Sequence, residues 1–333
     1  MRSVSKRVHF WQLRGAARGL LQQRAPRSLQ LAATNATAMA LAPRRRRNDG
    51  LSALWDPQCQ LPLEPMRDPP PFFVELCVSS ELDQRIRRDA IREGYGKFAA
   101  NLSASLRFFV GEPQPGTHDA FSIESERRRF GDVVILPMVD SYENLTLKTL
   151  AMLSYAAACG SAKYVVKADD DVLVFIRRLQ RFTEKMDAEA YSFRGKLGVY
   201  TGTLWVNTPP ILAKGNKNEE SKWVISSGNA SEPPLSRGKH FFSYAGGPFY
   251  LMSRSAAEYL RGTADRLNWK WRNEDMAVGA WLVGSDVDFI NTFQVKVLHW
   301  RWSTKPYIAE HNIDNRHEIA AWHVRRGNET LLL

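Results

Sequence analysis

Cysteine is scarce in this chain. Its 333 residues carry three, Cys59, Cys77 and Cys159, with no CxxC pair and no zinc-ligand spacing. That excludes a dense disulfide framework and a structural zinc site, and the odd count leaves at least one thiol unpaired within the chain. Long apolar runs are also missing. The least polar N-terminal stretch, LQLAATNATAMALAP from Leu29 to Pro43, is shorter than a bilayer requires and is broken by Gln, Asn and Thr, so it does not read as a transmembrane helix. No internal repeat is visible. Acids are nearly absent from residues 1 to 50, which hold eleven Lys or Arg and only Asp49. The tail therefore holds +10 of the net charge of +11, since the rest of the chain carries 35 basic and 34 acidic residues. A near-neutral folded part excludes tracking of a nucleic-acid backbone, which needs many clustered cations.

The tail reads either as an Arg-rich targeting peptide, with Ala40-Leu41-Ala42 resembling a small-residue cleavage site, or as a disordered basic segment. Residues 1 to 70 are expected to lie outside the fold, ending at the linker-like RDPPP of Arg67 to Pro71. Five sequons, at Asn35, Asn101, Asn144, Asn229 and Asn328, are compatible with a secretory route.

From residue 71 to 333 strand-like and helix-like segments alternate, which predicts an α/β domain with a mostly parallel central sheet flanked by helices. Strands are expected at FFVELCVSS, SLRFFVGEP, DVVILPMV and AKYVVKADDD. Ser80 is a candidate cap for the first helix. Asp140 and Glu143 approximate a capping box for a helix running to Gly160, whose left-handed conformation would stop it. Lys214 to Gly238, rich in Lys, Asn, Glu and Ser, reads as a long loop of the kind that forms lids or recognition elements.

YVVKADDDVLVF, Tyr164 to Phe175, interrupts an apolar run with Asp169, Asp170 and Asp171. Adjacent carboxylates in apolar surroundings persist only if water, basic side chains or a cation offsets their repulsion. The triplet falls where a central strand ends, the place where open α/β sheets put their ligands. A solvated acidic turn is the bland alternative, but the valines on both sides argue against a surface location.

Five ordered blocks resemble the β-1,3-galactosyltransferase family, glycosyltransferase family 31: RRDAIREGYG, FGDVVILPMVDSYENLTLKT, KADDDVLVF, SYAGGPFYLMS and EDMAVGAWL. The likeness is greatest to the subgroup that builds the galactose linkage of proteoglycans. It implies a GT-A fold and metal-dependent, inverting transfer from a UDP-sugar, with Mn²⁺ or Mg²⁺ as cofactor, UDP-galactose as donor and a glycan, glycoprotein or proteoglycan as acceptor. It implies residence in the Golgi lumen, although no membrane anchor is evident in the sequence. Tyr95 stands where Trp is usual.

By this resemblance Asp171 and His299, in LHWRWSTKP, are the metal ligands, while Asp169 and Asp170 orient the ribose and the metal's waters. Asp275 is the general base and Glu274 a donor or acceptor contact, although acids in a first helical turn are also favoured by the helix dipole alone. Arg85, Arg88 and Arg92 share one helix face, and Arg88 and Arg92 match the motif arginines expected to bind the donor. Gly246 and Gly247 would let backbone approach the sugar, or simply form a turn. Trp205, Trp269 and Trp271 are candidates for sugar stacking or for core. Three alternatives remain open: N-acetylglucosamine as the transferred sugar, a phosphohydrolase of the haloacid dehalogenase type, and a non-catalytic glycan-binding module.

Overall fold

The computed structural model describes residues 52–57, 59, 73–189, 197–209, 240–296 and 306–311. The basic tail, the loop at 214–238 and His299 lie outside the described residues.

The elements run α1 (Ser52–Trp55), β1 (Val74–Ser79), α2 (Arg85–Glu93), β2 (Ala104–Gly111), α3 (His118–Phe130), β3 (Val133–Leu136), α4 (Leu145–Cys159), β4 (Tyr164–Asp169), β5 (Val172–Val174), α5 (Ile176–Glu189), β6 (Gly198–Trp205), β7 (Tyr244–Ser253), α6 (Arg254–Thr263), α7 (Glu274–Leu282), β8 (Val287–Asn291), β9 (Val295–Lys296) and β10 (Ala309–His311). A seven-stranded sheet has the order β3-β2-β1-β4-β7-β6-β8, and a small second sheet the order β5-β10-β9. In the large sheet β1, β2, β3 and β4 are mutually parallel, while β7 runs antiparallel to both β4 and β6. This is the mostly parallel α/β arrangement that the alternating sequence predicts. The central strands are nearly continuous apolar runs because both faces are covered.

The two faces build two apolar clusters. One joins α4, α6 and α7 to the sheet through Leu150, Leu153, Tyr250, Leu260 and Trp281; the other holds Ile91, Phe108, Val166, Leu179 and Phe249. Helix α4, apolar on nearly every side, is buried along almost its whole length, as such a helix must be.

Several local expectations are corrected. Residues 52–57 belong to the folded part: Leu54 is 2% exposed in the first cluster, and Arg261 donates to the Trp55 carbonyl at 2.9 Å. Cys59 is bridged to Cys159, the last residue of α4, and Cys77 is a buried free thiol. Helix α4 begins at Leu145, after a 3-10 turn at Tyr142–Asn144, not at the Asp140 box. Asp140 instead receives Lys148 Nζ at 2.6 Å and the Gly111 N–H at 3.0 Å. Gly160 is extended, with φ −84° and ψ 166°, so it is no left-handed stop. Glycine suits that position because a β-carbon would collide with the Glu75 carboxylate and the Ala156 carbonyl. Ser80 does not cap α2, whose N-cap is Gln84. SYAGGPFYLMS is not a turn before a strand; Tyr244–Ser253 is one strand, with irregular pairing to β6 between Gly202 and Leu204. Among the described residues no helix is long and apolar enough to cross a membrane.

Candidate active site

Strand β4 ends at Asp169, which pairs with Ser79 at the end of β1, and Asp170 and Asp171 turn the chain into β5. The three like charges survive together because each carboxylate enters a different environment. Asp169 accepts from Lys167 Nζ at 2.6 Å. Asp170 accepts from Arg87 Nη1 and from Ser80 Oγ, both at 2.7 Å. Asp171 Oδ2 lies 3.3 Å from His311 Nε2. That last neighbour follows from backbone register, since β10 pairs antiparallel with β5 and sets His311 opposite Val172.

Burial governs proton affinity here. It raises Asp169 despite Lys167, and pushes Asp170 up to about 6 against the opposing pull of Arg87 and Ser80. Asp171 is the exception: burial acts in the same upward sense, but the hydrogen bond and charge of His311, with Arg87 and Lys167 behind them, hold it below the usual carboxylate range.

A cavity of about 330 Å³ opens on the β1 side of the triplet, within the range of small-molecule sites. Its wall takes Ser79, Ser80, Glu81 and Arg87 from the end of β1 and from α2, Tyr142, Leu145 and Lys148 from around the start of α4, and all three aspartates. Lys148 Nζ is fixed by Asp140 and by the Ser80 carbonyl at 2.8 Å.

On the β7 side the organising group is Lys167, 1% exposed in the middle of β4. Its ammonium donates to Asp169 Oδ1 (2.6 Å), Glu274 Oε1 (2.9 Å) and the Gly247 carbonyl (2.6 Å). The Gly247 N–H donates in turn to Asp275 Oδ2 at 3.1 Å, while Asp275 Oδ1 accepts the Met276 N–H at 2.8 Å. One buried cation thus ties the triplet to the acids that open α7. Burial pushes Glu274 up to about 7 despite Lys167, and raises Asp275 despite its two backbone N–H bonds. A β-carbon on Gly247 would stand 3.1 Å from Glu274 Oε1 and 3.4 Å from Asp275 Oδ2, so glycine is what allows β7 and α7 to come this close.

The structure therefore brings Asp169, Asp170, Asp171, Glu274, Asp275 and Gly247 to one end of the sheet, with Gly246 buried beside them in β7. The two motif arginines face elsewhere. Arg88 is 0% exposed and is consumed by Glu126, Ser80 Oγ and the Glu81 and Leu82 carbonyls. Arg92 is held by Asp89, Glu126 and Asp132. Neither lines the cavity beside the triplet: their shared face turns inward, and Arg87, one residue out of phase, reaches it. Trp205 packs with Phe241, Tyr244 and Met276, and Trp271 stacks on Trp281 at 6.3 Å.

Sequence reasoning missed Lys167, Arg87 and His311. Lys167 had a signal, a lone cation inside an otherwise apolar strand. His311 had none at short range.

Among the described residues no cluster of three or more His, Cys, Asp or Glu gathers around a point. What the site offers is a carboxylate–imidazole pair in which Asp171 Oδ1 is buried without a hydrogen-bond partner among the described residues. Such a pair suits a divalent cation that completes its coordination with water and substrate phosphate oxygens.

Comparison with known proteins matches residues 86–292 to the family described as galactosyltransferase. Probable beta-1,3-galactosyltransferase 4 of Arabidopsis thaliana is 30% identical over 230 residues, which cover 66% of this chain and 52% of that protein. Beta-1,3-galactosyltransferase 6 of Mus musculus is 30% identical over 221 residues, covering 65% of this chain and 61% of that protein. The chain spans about half the length of the plant relatives it matches. A crystal structure of the galactosyltransferase LgtC with donor and acceptor sugar analogues aligns at 12% identity with a TM-score of 0.36, over 77% of this chain and 94% of that one.

Proposed function

Because the chain belongs to the galactosyltransferase family, we propose that it transfers galactose from UDP-galactose, with inversion, to a hydroxyl of a glycan acceptor in β-1,3 linkage. The acceptor is a glycoprotein or proteoglycan glycan, the compartment the Golgi lumen, and the cofactor Mn²⁺ or Mg²⁺. Family membership leaves the phosphohydrolase alternative without support.

The observation that carries this reading is the Lys167 bridge, which joins Asp169 to Glu274 and, through Gly247, to Asp275. Inverting transfer needs a leaving-group side and a proton-accepting side held in fixed relation, and this unit supplies both. The polar cavity beside β1 takes the nucleotide, with Arg87 and Lys148 as cations in its wall. Asp171 and His311 would hold the metal; His299, the ligand that the resemblance implies beside Asp171, lies outside the described residues. A divalent ion bound there supplies Lewis-acid neutralisation of the departing diphosphate.

Asp275 accepts the proton of the acceptor hydroxyl as that oxygen attacks the anomeric carbon. Burial raises its proton affinity toward what a base requires, while the Gly247 and Met276 N–H groups aim its oxygens. Lys167 fixes the Gly247 peptide and so positions Asp275 without touching substrate.

The test is UDP release by the purified chain from a panel of UDP-sugars, with Mn²⁺, Mg²⁺ or chelator, followed by linkage analysis of the product. Galactose transfer that needs a divalent ion is expected. Preference for UDP-N-acetylglucosamine would replace the donor, and full turnover in chelator would remove the metal role of Asp171 and His311.

A further inference from the structure

We propose that Asn101 is an N-glycosylation site, carrying a glycan on the edge of the domain opposite the carboxylate cluster. Asn101-Leu102-Ser103 is a complete acceptor tripeptide. Asn101 is exposed, on the 3-10 turn Ala100–Leu102, and Ser103 follows at φ 52°, so the tripeptide forms a tight surface corner before β2.

Position and compartment both support the assignment. The start of β2 lies beside the start of β1, through Ala104 and Val74, whereas the carboxylates lie at the far ends, where Ser79 faces Asp169. Six residues of strand separate the two edges, roughly 20 Å at ~3.3 Å per residue. A glycan on Asn101 therefore stands clear of donor and acceptor. Asn144, by contrast, adjoins the cavity-lining Tyr142 and Leu145, and its amide is donated to the Val139 carbonyl at 3.1 Å. Independently, the Cys59–Cys159 disulfide marks folding in an oxidising compartment, the setting in which sequons are used.

In the step itself Asn101 Nδ2 displaces the pyrophosphate of a lipid-pyrophosphate-linked oligosaccharide from its anomeric carbon. The N–C bond forms, the C–O bond breaks, the amide gives up one proton, and the lipid pyrophosphate leaves with the electron pair.

The full chain, produced in a secretory eukaryotic host, is treated with peptide N-glycosidase in ¹⁸O water and mapped by mass spectrometry. Recovery of residue 101 as ¹⁸O-labelled aspartate is expected. Asn101→Gln and Ser103→Ala should each lose one glycan on gels and keep the transfer rate of the parent. An Asn101 peptide found mainly unmodified overturns the proposal, and that reading is taken on the unaltered chain, so a variant that fails to fold does not obscure it. Donor preference has no bearing on this result, so failure here and failure of the transferase reading are separately visible.

Discussion

Two buried ion networks, one beneath α2 and one at the ends of β1 and β4, are built to opposite ends. Beneath the helix, Arg88 and Arg92 clamp Glu126, with Asp132 and Asp89 closing the outer side. Burial alone would raise Glu126, yet the two guanidinium groups hold it below its ordinary value. At the ends of β1 and β4, one ammonium serves Asp169 and Glu274 together, Asp275 has only backbone N–H groups, and one oxygen of Asp171 has no partner among the described residues. There burial wins, and Asp169, Asp170, Glu274 and Asp275 are all raised. A network meant only to hold a fold is saturated. One that must receive a proton or a cation keeps negative charge in reserve, at a cost in stability.

The largest effect expected from that contrast is catalytic. Asp275→Asn should lower kcat by about 10²- to 10⁴-fold, the usual worth of a general base. Donor affinity should stay unchanged, and unfolding should shift by only ~1 kcal/mol for one misdirected amide contact. Isothermal titration with UDP and Mn²⁺ beside initial-rate kinetics separates the two. A variant that retains turnover removes Asp275 as the base.

Arg88→Met probes the other network and should act on stability instead. It removes one of the two guanidinium groups that hold Glu126, whose side chain is 1% exposed; breaking one partner out of a buried pair costs about 3–5 kcal/mol, an upper bound here because Arg92 stays in place. Urea unfolding reads this directly. The folded fraction, assayed cold, should keep the parent's KM for the donor, whereas a raised KM with unchanged stability would return Arg88 to the donor site.

The pH dependence of stability should separate the networks by sign. Glu274 is displaced upward, from 4.5 to about 7, so the folded state binds the extra proton across that window. Stability therefore falls as pH rises from about 4.5 to 7, by on the order of 3 kcal/mol. Glu126 is displaced downward, so its contribution is present above its unfolded value of 4.5 and is lost as pH falls through its folded value. Glu274→Gln should flatten the upper part of the neutral limb, from about 6 to 7, above the value of Asp170, and leave the acidic limb in place. If the slope between about 6 and 7 persists in that variant, Glu274 is not the group responsible.

How much of this the sequence carried depended on how local the cause was. The strand ending in the aspartates was legible because apolar residues on both sides of three acids demand an explanation, and Asp275 because it stands in the first turn of an apolar helix. Arg88 and Arg92 were legible as a face but not as an inward face. Spacing along a helix reports which residues point together, and only the position of Glu126 and Asp132 tells in which direction. At 100° per residue the adjacent Arg87 was thereby the one delivered to Asp170. His311 was illegible for a different reason. Its place beside Asp171 is set by pairing of two three-residue strands far apart in the chain, too short for any periodic pattern.

The smallest change should separate positioning from charge. Gly247→Ala adds one methyl group, 3.1 Å from Glu274 Oε1 and 3.4 Å from Asp275 Oδ2. Neither distance forbids the substitution, so β7 and α7 need part by only a few tenths of an ångström, and the expected stability loss is about 1 kcal/mol or less. The hydrogen bond that aims Asp275 runs through this peptide, whose carbonyl is held by Lys167. Chemistry is more sensitive to such displacements than folding is, so kcat should fall by up to about tenfold with little change in donor KM. Equal losses in kcat and in unfolding free energy would mean that the Lys167 unit merely supports the fold, and the distinction between a saturated network and a reserved one would then rest on Asp171 alone.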